Sequence, residues 1–161
     1  ELPGLLWMMP KRSLHTTLCE IIQPKPYSED KSQIWENNHK EYRSVLNDVL
    51  GRYGQIEISF KTIEASPHAV VIMGEDNGVF NDIRQELIRE LPFPEETKKP
   101  PNVAHSSIAR FVTEASLADV QNVVAGHSIS FVETISEFQL MNNIWPHLLE
   151  YDIAERYRLQ G

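Results

Sequence analysis

Apolar residues recur at steps of three and four from Gln33 to Leu50, through Ile34, Trp35, Tyr42, Val45, Leu46, Val49 and Leu50, and Gly51 and Gly54 follow as stop signals. That period predicts an amphipathic helix. On either side the period changes to two. Ser13 to Ile22 alternates and predicts a strand, ended by Gln23-Pro24-Lys25-Pro26-Tyr27 because proline removes a ladder donor. Gln55 to Thr62 alternates through Ile56, Ile58 and Phe60, and His68 to Met73 is an apolar β-branched run, so the pair predicts an antiparallel hairpin. A second helix is expected from a cap at Asn77 to Leu91, with Phe80, Ile83, Leu87 and Leu91 on one stripe.

The proline-rich, charged stretch 92–102 reads as a connection, and beyond it the order starts again. A strand is expected over Val103 to Val112, then a helix over Leu117 to Ala125 capped by Ser116, then strands near Ser128 to Val132, Glu137 to Met141 and Leu149 to Tyr157. Both halves, roughly 1–91 and 103–161, thus run strand, helix, strand, strand. The expectation is an α+β chain whose halves echo one another, folded as one two-lobed domain over 1–161, since 161 residues suit a single core.

Composition narrows the function. A formal charge of −8 argues against coating nucleic acid through a bulk positive field, so any phosphate site must be local. Lys11 and Arg12 are the basic residues nearest the first motif described below, although a solvated surface is the simpler reading of them. The apolar run Leu5 to Met9 is cut off by Pro10-Lys11-Arg12, far short of the roughly 20 residues of a membrane helix, so no membrane partner is expected. The single cysteine, Cys19, excludes an intrachain disulfide framework and a multi-cysteine zinc site. It fits a reducing compartment, with the cytoplasm as default. The chain opens at Glu1 rather than Met, which leaves an upstream targeting signal open.

The chemistry lies in two matching segments, Leu14-His15-Thr16-Thr17-Leu18 and Ala104-His105-Ser106-Ser107-Ile108, each H-x-[ST]-apolar. On a strand, residues two apart share a face, so His15 with Thr17, and His105 with Ser107, each present an imidazole and a hydroxyl together. Side by side, such segments suit in-line displacement at phosphorus. A neutral imidazole removes a proton from the attacking oxygen, a protonated one gives a proton to the departing oxygen, and the hydroxyls of Thr17 and Ser107 donate to non-bridging oxygens. No metal or cofactor is needed in this scheme. Arg110 has opposite parity to His105 and Ser107, so simple alternation points it away from the cleft.

These paired motifs, 90 residues apart (105 − 15), resemble those of the 2H phosphoesterase superfamily, which includes 2′,3′-cyclic phosphodiesterases, so-called 2′-5′ RNA ligases and 2′-5′ oligoadenylate phosphodiesterases. The run His105-Ser106-Ser107-Ile108-Ala109-Arg110 is similar to the family's second motif with its trailing arginine, and the resemblance extends to Tyr157-Arg158-Leu159. It implies a bilobal, pseudo-twofold fold with two antiparallel sheets lining a central cleft and helices outside. It also implies a metal-independent phosphodiesterase acting on a nucleotide or RNA end, at a 2′,3′-cyclic phosphate or a 2′-5′ linkage. His15 and His105 would be the catalytic pair, and a monomer with no obligate protein partner is expected. One departure stands out: family members usually carry a strand and a helix before the first motif, and only fourteen residues precede His15 here. Either upstream sequence has been removed or one lobe is short of a strand.

Other residues divide between substrate and core. Trp7, Lys11 and Trp145 are candidate substrate contacts, since an aromatic ring can stack on any base, while Trp35 falls on the helix stripe. His39, His68, His127 and His147 lack metal-ligand spacing, and no G-x-G-x-x-G, Walker or G-x-S-x-G pattern is present. Two rival functions remain: a non-catalytic module that binds a phosphorylated nucleotide or RNA end in the same cleft, and a metal-dependent hydrolase using the scattered histidines and carboxylates.

Overall fold

The computed structural model describes residues 6–100, 102–112, 116–145 and 148–161. It is an α+β fold with two antiparallel sheets. The chain begins with a short strand β1 (Leu6–Met8) and a 3-10 turn (Lys11–Ser13). Helix α1 (Lys31–Leu50) starts where the Asp30 carboxylate accepts hydrogen bonds from the amides of Ser32 and Gln33. Strands β2 (Ile56–Ala65) and β3 (Ala69–Glu75) form the expected antiparallel hairpin.

Helix α2 (Val79–Glu90) starts differently from expectation. Asn77 and Gly78 both have positive φ, 56° and 87°, and it is the Asp76 carboxylate that accepts from the Phe80 amide at 2.5 Å. Strand β4 (Ala104–Phe111) and helix α3 (Leu117–Ala125), capped by Ser116, stand where the pattern puts them. Strand β5 (Phe131–Ile135) begins three residues later than the expected start at Ser128, and β6 (Glu137–Trp145) pairs with β7 (Glu150–Arg158).

The larger sheet has the order β1-β4-β3-β2-β5, with every pair antiparallel, and the smaller sheet is β6-β7. Strands β2 and β3 come from the first half of the chain and β4 and β5 from the second, so the division at 92–102 does not coincide with the two sheets. One face of the larger sheet packs Ile56, Ile58, Phe60, Ile72 and Ala104 against Tyr42, Leu46, Val49 and Leu50 of α1 and Phe80, Ile83 and Leu87 of α2. Tyr157 and Leu159, from β7 and just beyond it, close the same core. A smaller cluster seats Val120 and Val124 of α3 on Val70 and Ala109. Among the described residues no helix is long and apolar enough to cross a membrane.

The strand expected over Ser13 to Ile22 does not form. Only Thr16 makes an isolated antiparallel bridge, to Ser106, and residues 17–30 are irregular. The reason is competition for backbone carbonyls. Those of Thr17 and Leu18 accept from the Arg84 guanidinium and that of Ile21 accepts from the Thr97 hydroxyl, so side chains occupy the groups a ladder would use. Leu18 and Ile21 nevertheless reach the core, which fixes the segment without a ladder.

Close packing of the sheet is sharpest at Gly74, paired with Ala104 one residue before His105. A Cβ at Gly74 would collide with Ile58 Cγ2 and lie 3.0 Å from Phe60 Cε1, both buried. Gly74→Ala is therefore expected to destabilise by about 1–3 kcal/mol, the usual cost of overpacking. Urea unfolding should show a lower midpoint at unchanged slope, and an unchanged midpoint would contradict the packing described.

Candidate active site

Ser106 already pairs with Ile72 on the β3 side of β4, so its bridge to Thr16 lies along the opposite edge, in line with β1. An antiparallel bridge at Thr16–Ser106 sets His15 across from Ser107 and Thr17 across from His105. Alternation along β4 puts His105 and Ser107 on one face with Ser106, 5% exposed, turned inward, while His15 and Thr17 flank the bridging Thr16 and Leu18 is buried in the core. The two imidazoles are diagonal neighbours, for which backbone separations of about 7–8 Å are usual. All four residues are half-buried.

The first ring is held in a defined state. His15 Nδ1 lies 2.7 Å from the Ser13 carbonyl oxygen. A carbonyl only accepts, so Nδ1 carries the proton and Nε2 is the nitrogen free to act on a ligand. Ser13 is buried, and its hydroxyl donates to the Leu148 carbonyl at 2.9 Å, which ties the ring's support to the residue two positions ahead of β7. Among the described residues no side chain or backbone group hydrogen-bonds the His105 ring.

A bulge changes the reading of Arg110. Strand β3 pairs Val70 with Ala109 but Val71 with Ser107, so Ile108 is an extra residue in β4. The parity therefore flips, and Arg110 returns to the face of His105 and Ser107 rather than pointing away from it. Among the described residues its buried Nε has no hydrogen-bond partner, and burial lowers its pKa. Trp7, on β1, pairs in register with Arg110 and so shares this face. Lys11 and Arg12 are exposed in the 3-10 turn. Trp145 ends β6 opposite Glu150, and its side chain lies outside the described residues.

The residue missed by sequence reasoning is Arg84. It is 1% exposed, and its Nε donates to the Leu18 carbonyl at 2.7 Å, Nη2 to the Thr17 carbonyl at 2.7 Å and Nη1 to the Val103 carbonyl at 3.1 Å. Its guanidinium lies 5.3 Å from the centre of the Phe80 ring. The signal was present, because Arg84 interrupts the stripe of Phe80, Leu87 and Leu91 at helical spacing. The other histidines are not gathered: His39 Nδ1 faces the Trp35 and Glu36 carbonyls, and His68 and His127 are exposed. His147 lies outside the described residues, among which no group of three or more His, Cys, Asp or Glu is placed to hold a metal.

These features define an α+β protein whose two H-x-[ST]-x segments meet along one strand edge. The model of the 2′-5′ RNA ligase superfamily matches residues 8–144, a span that contains both motifs, and the chain belongs to that superfamily of 2H phosphoesterases. Membership points to phosphoester chemistry on RNA or nucleotide substrates. No curated protein matches the chain.

Cys19 follows the first motif directly, and its surroundings disfavour the thiolate at neutral pH. Burial pushes its thiol up to about 12, outweighing the favourable charge of Arg84. Burial raises the Tyr157 phenol to about 12, and burial with a hydrogen bond to Glu86 does the same for Tyr53. The unfolded chain releases these protons nearer the ordinary 9.0 of cysteine and 10.0 of tyrosine, so it binds fewer protons than the folded chain at alkaline pH. The stabilisation is complete below about pH 9 and is lost as pH climbs toward 12. Thermal melting should fall over that window and fall less in Cys19→Ala; identical pH profiles for the two proteins would contradict the assignment of Cys19.

Proposed function

We propose that this protein is a metal-independent phosphodiesterase that hydrolyses a nucleotide or RNA-end phosphodiester, a 2′,3′-cyclic phosphate or a 2′-5′ linkage, by general acid/base catalysis from His15 and His105. The observation that carries this reading is the Thr16–Ser106 bridge, which sets the two motifs beside each other. A water oxygen attacks phosphorus, one neutral imidazole takes its proton, and the other imidazolium protonates the departing ribose oxygen. The P–O bond to that oxygen breaks as the new one forms, which leaves a phosphomonoester and a free hydroxyl. Thr17 and Ser107 donate to the non-bridging oxygens, where charge grows in the transition state. Arg110 supplies a cation on the same face for the phosphate, and Trp7 beside it offers a surface for a base. Family membership supports the reaction class, and the fixed Nδ1 proton of His15 supports Nε2 as its working atom.

Hydrolysis of 2′,3′-cyclic nucleotides, followed alongside thermal shift with the same ligand, separates this reading from a purely binding cleft. Turnover should be insensitive to EDTA, bell-shaped in pH and severely reduced in His15→Ala and in His105→Ala. Thr17→Val or Ser107→Ala should each remove roughly 2.7–4 kcal/mol of transition-state stabilisation, less where water substitutes. Full activity in both histidine variants would remove the proposal, and stabilisation by ligand without product would favour binding alone.

A further inference from the structure

The second motif lies inside β4 and pairs with β3 from His105 to Ser107, whereas the first is held to the sheet only by the Thr16–Ser106 bridge. Thr17 and Leu18, two and three residues after His15, lie outside every strand, and Val103 sits just ahead of β4, two residues before His105. The carbonyls of all three converge on the guanidinium of Arg84, each on a different nitrogen. A planar guanidinium reaches three acceptors from three separate nitrogens, whereas the three donors of lysine radiate from one nitrogen and do not reproduce that spread. The group itself is anchored, because α2 packs through Phe80, Ile83 and Leu87 into the main core.

We propose that Arg84 is a positioning residue: it locks the two histidine motifs to one helix and so sets the register of His15 against His105. This rests on the phosphodiesterase reading of the site. Arg84 itself stays away from substrate, sealed beneath the motifs, so its loss should spoil alignment in the transition state more than binding of the ground state.

The test is the full chain carrying Arg84→Lys, with Leu46→Val on α1 as a control that loosens the same core without altering the helix that carries Arg84. With 2′,3′-cyclic AMP as substrate, Arg84→Lys should lower kcat on the order of 10- to 100-fold while KM stays within about threefold, the mark of lost alignment. Leu46→Val should keep kcat. Amide hydrogen exchange, read without any activity, should speed up together over 15–18 and 104–107 and stay unchanged in β2 and β5. Unchanged kcat in Arg84→Lys, an equal loss in Leu46→Val, or faster exchange at only one motif would overturn the proposal. If Arg84→Lys melts below the assay temperature, Arg84→Gln takes its place under the same criteria. An inactive wild-type protein would defeat the phosphodiesterase reading by itself, and the exchange pattern would then decide whether Arg84 ties the motifs.

Discussion

A guanidinium sealed from water between three backbone carbonyls governs the geometry of this protein. Removing a charge from water is costly unless hydrogen bonds replace the lost hydration, and each side of this contact needs the other. Arg84 needs acceptors, and the carbonyls of Thr17, Leu18 and Val103 need donors that no neighbouring strand supplies there. Burial lowers the pKa of Arg84, while the Asp76 carboxylate at the start of the same helix favours the charged form.

The same solution recurs along the first motif. Ser13 is held by the Leu148 carbonyl, His15 by the Ser13 carbonyl, and Ile21 by the Thr97 hydroxyl. Further on, Gln23 and Lys98 bond each other reciprocally, and Ser28 donates twice to Glu96. The segments 23–28 and 96–98 are therefore laced together. An irregular backbone here carries the first histidine on side-chain hydrogen bonds instead of a continuous sheet.

Helices α1 and α3 were legible because their apolar period and polar caps are local features, set by residues within one or two turns. The hairpin of β2 and β3 was legible for the same reason. Elsewhere the deciding partner is distant in the chain. Alternation from Ser13 to Ile22 looks like a strand until Arg84, 66 residues beyond Leu18, takes its carbonyls. The bulge at Ile108 is a matter of register between two strands, so parity counted along one of them misplaced Arg110. The start of α2 shifted because Asp76 competes with Asn77 for the capping role and Asn77 adopts a left-handed turn instead. The motif histidines were visible as residue types with matching neighbours. Their juxtaposition was only implied by the family resemblance, because it depends on the edge of β4 left open beside β1.

The central claim is that one phosphorus centre fits between His15 and His105. Structure determination with a bound 2′-nucleoside monophosphate tests it most directly. The account predicts a single phosphate with its oxygens about 2.6–3.2 Å from His15 Nε2 and from a ring nitrogen of His105. A phosphate bound to only one of the two rings, or seated on another surface, would contradict it.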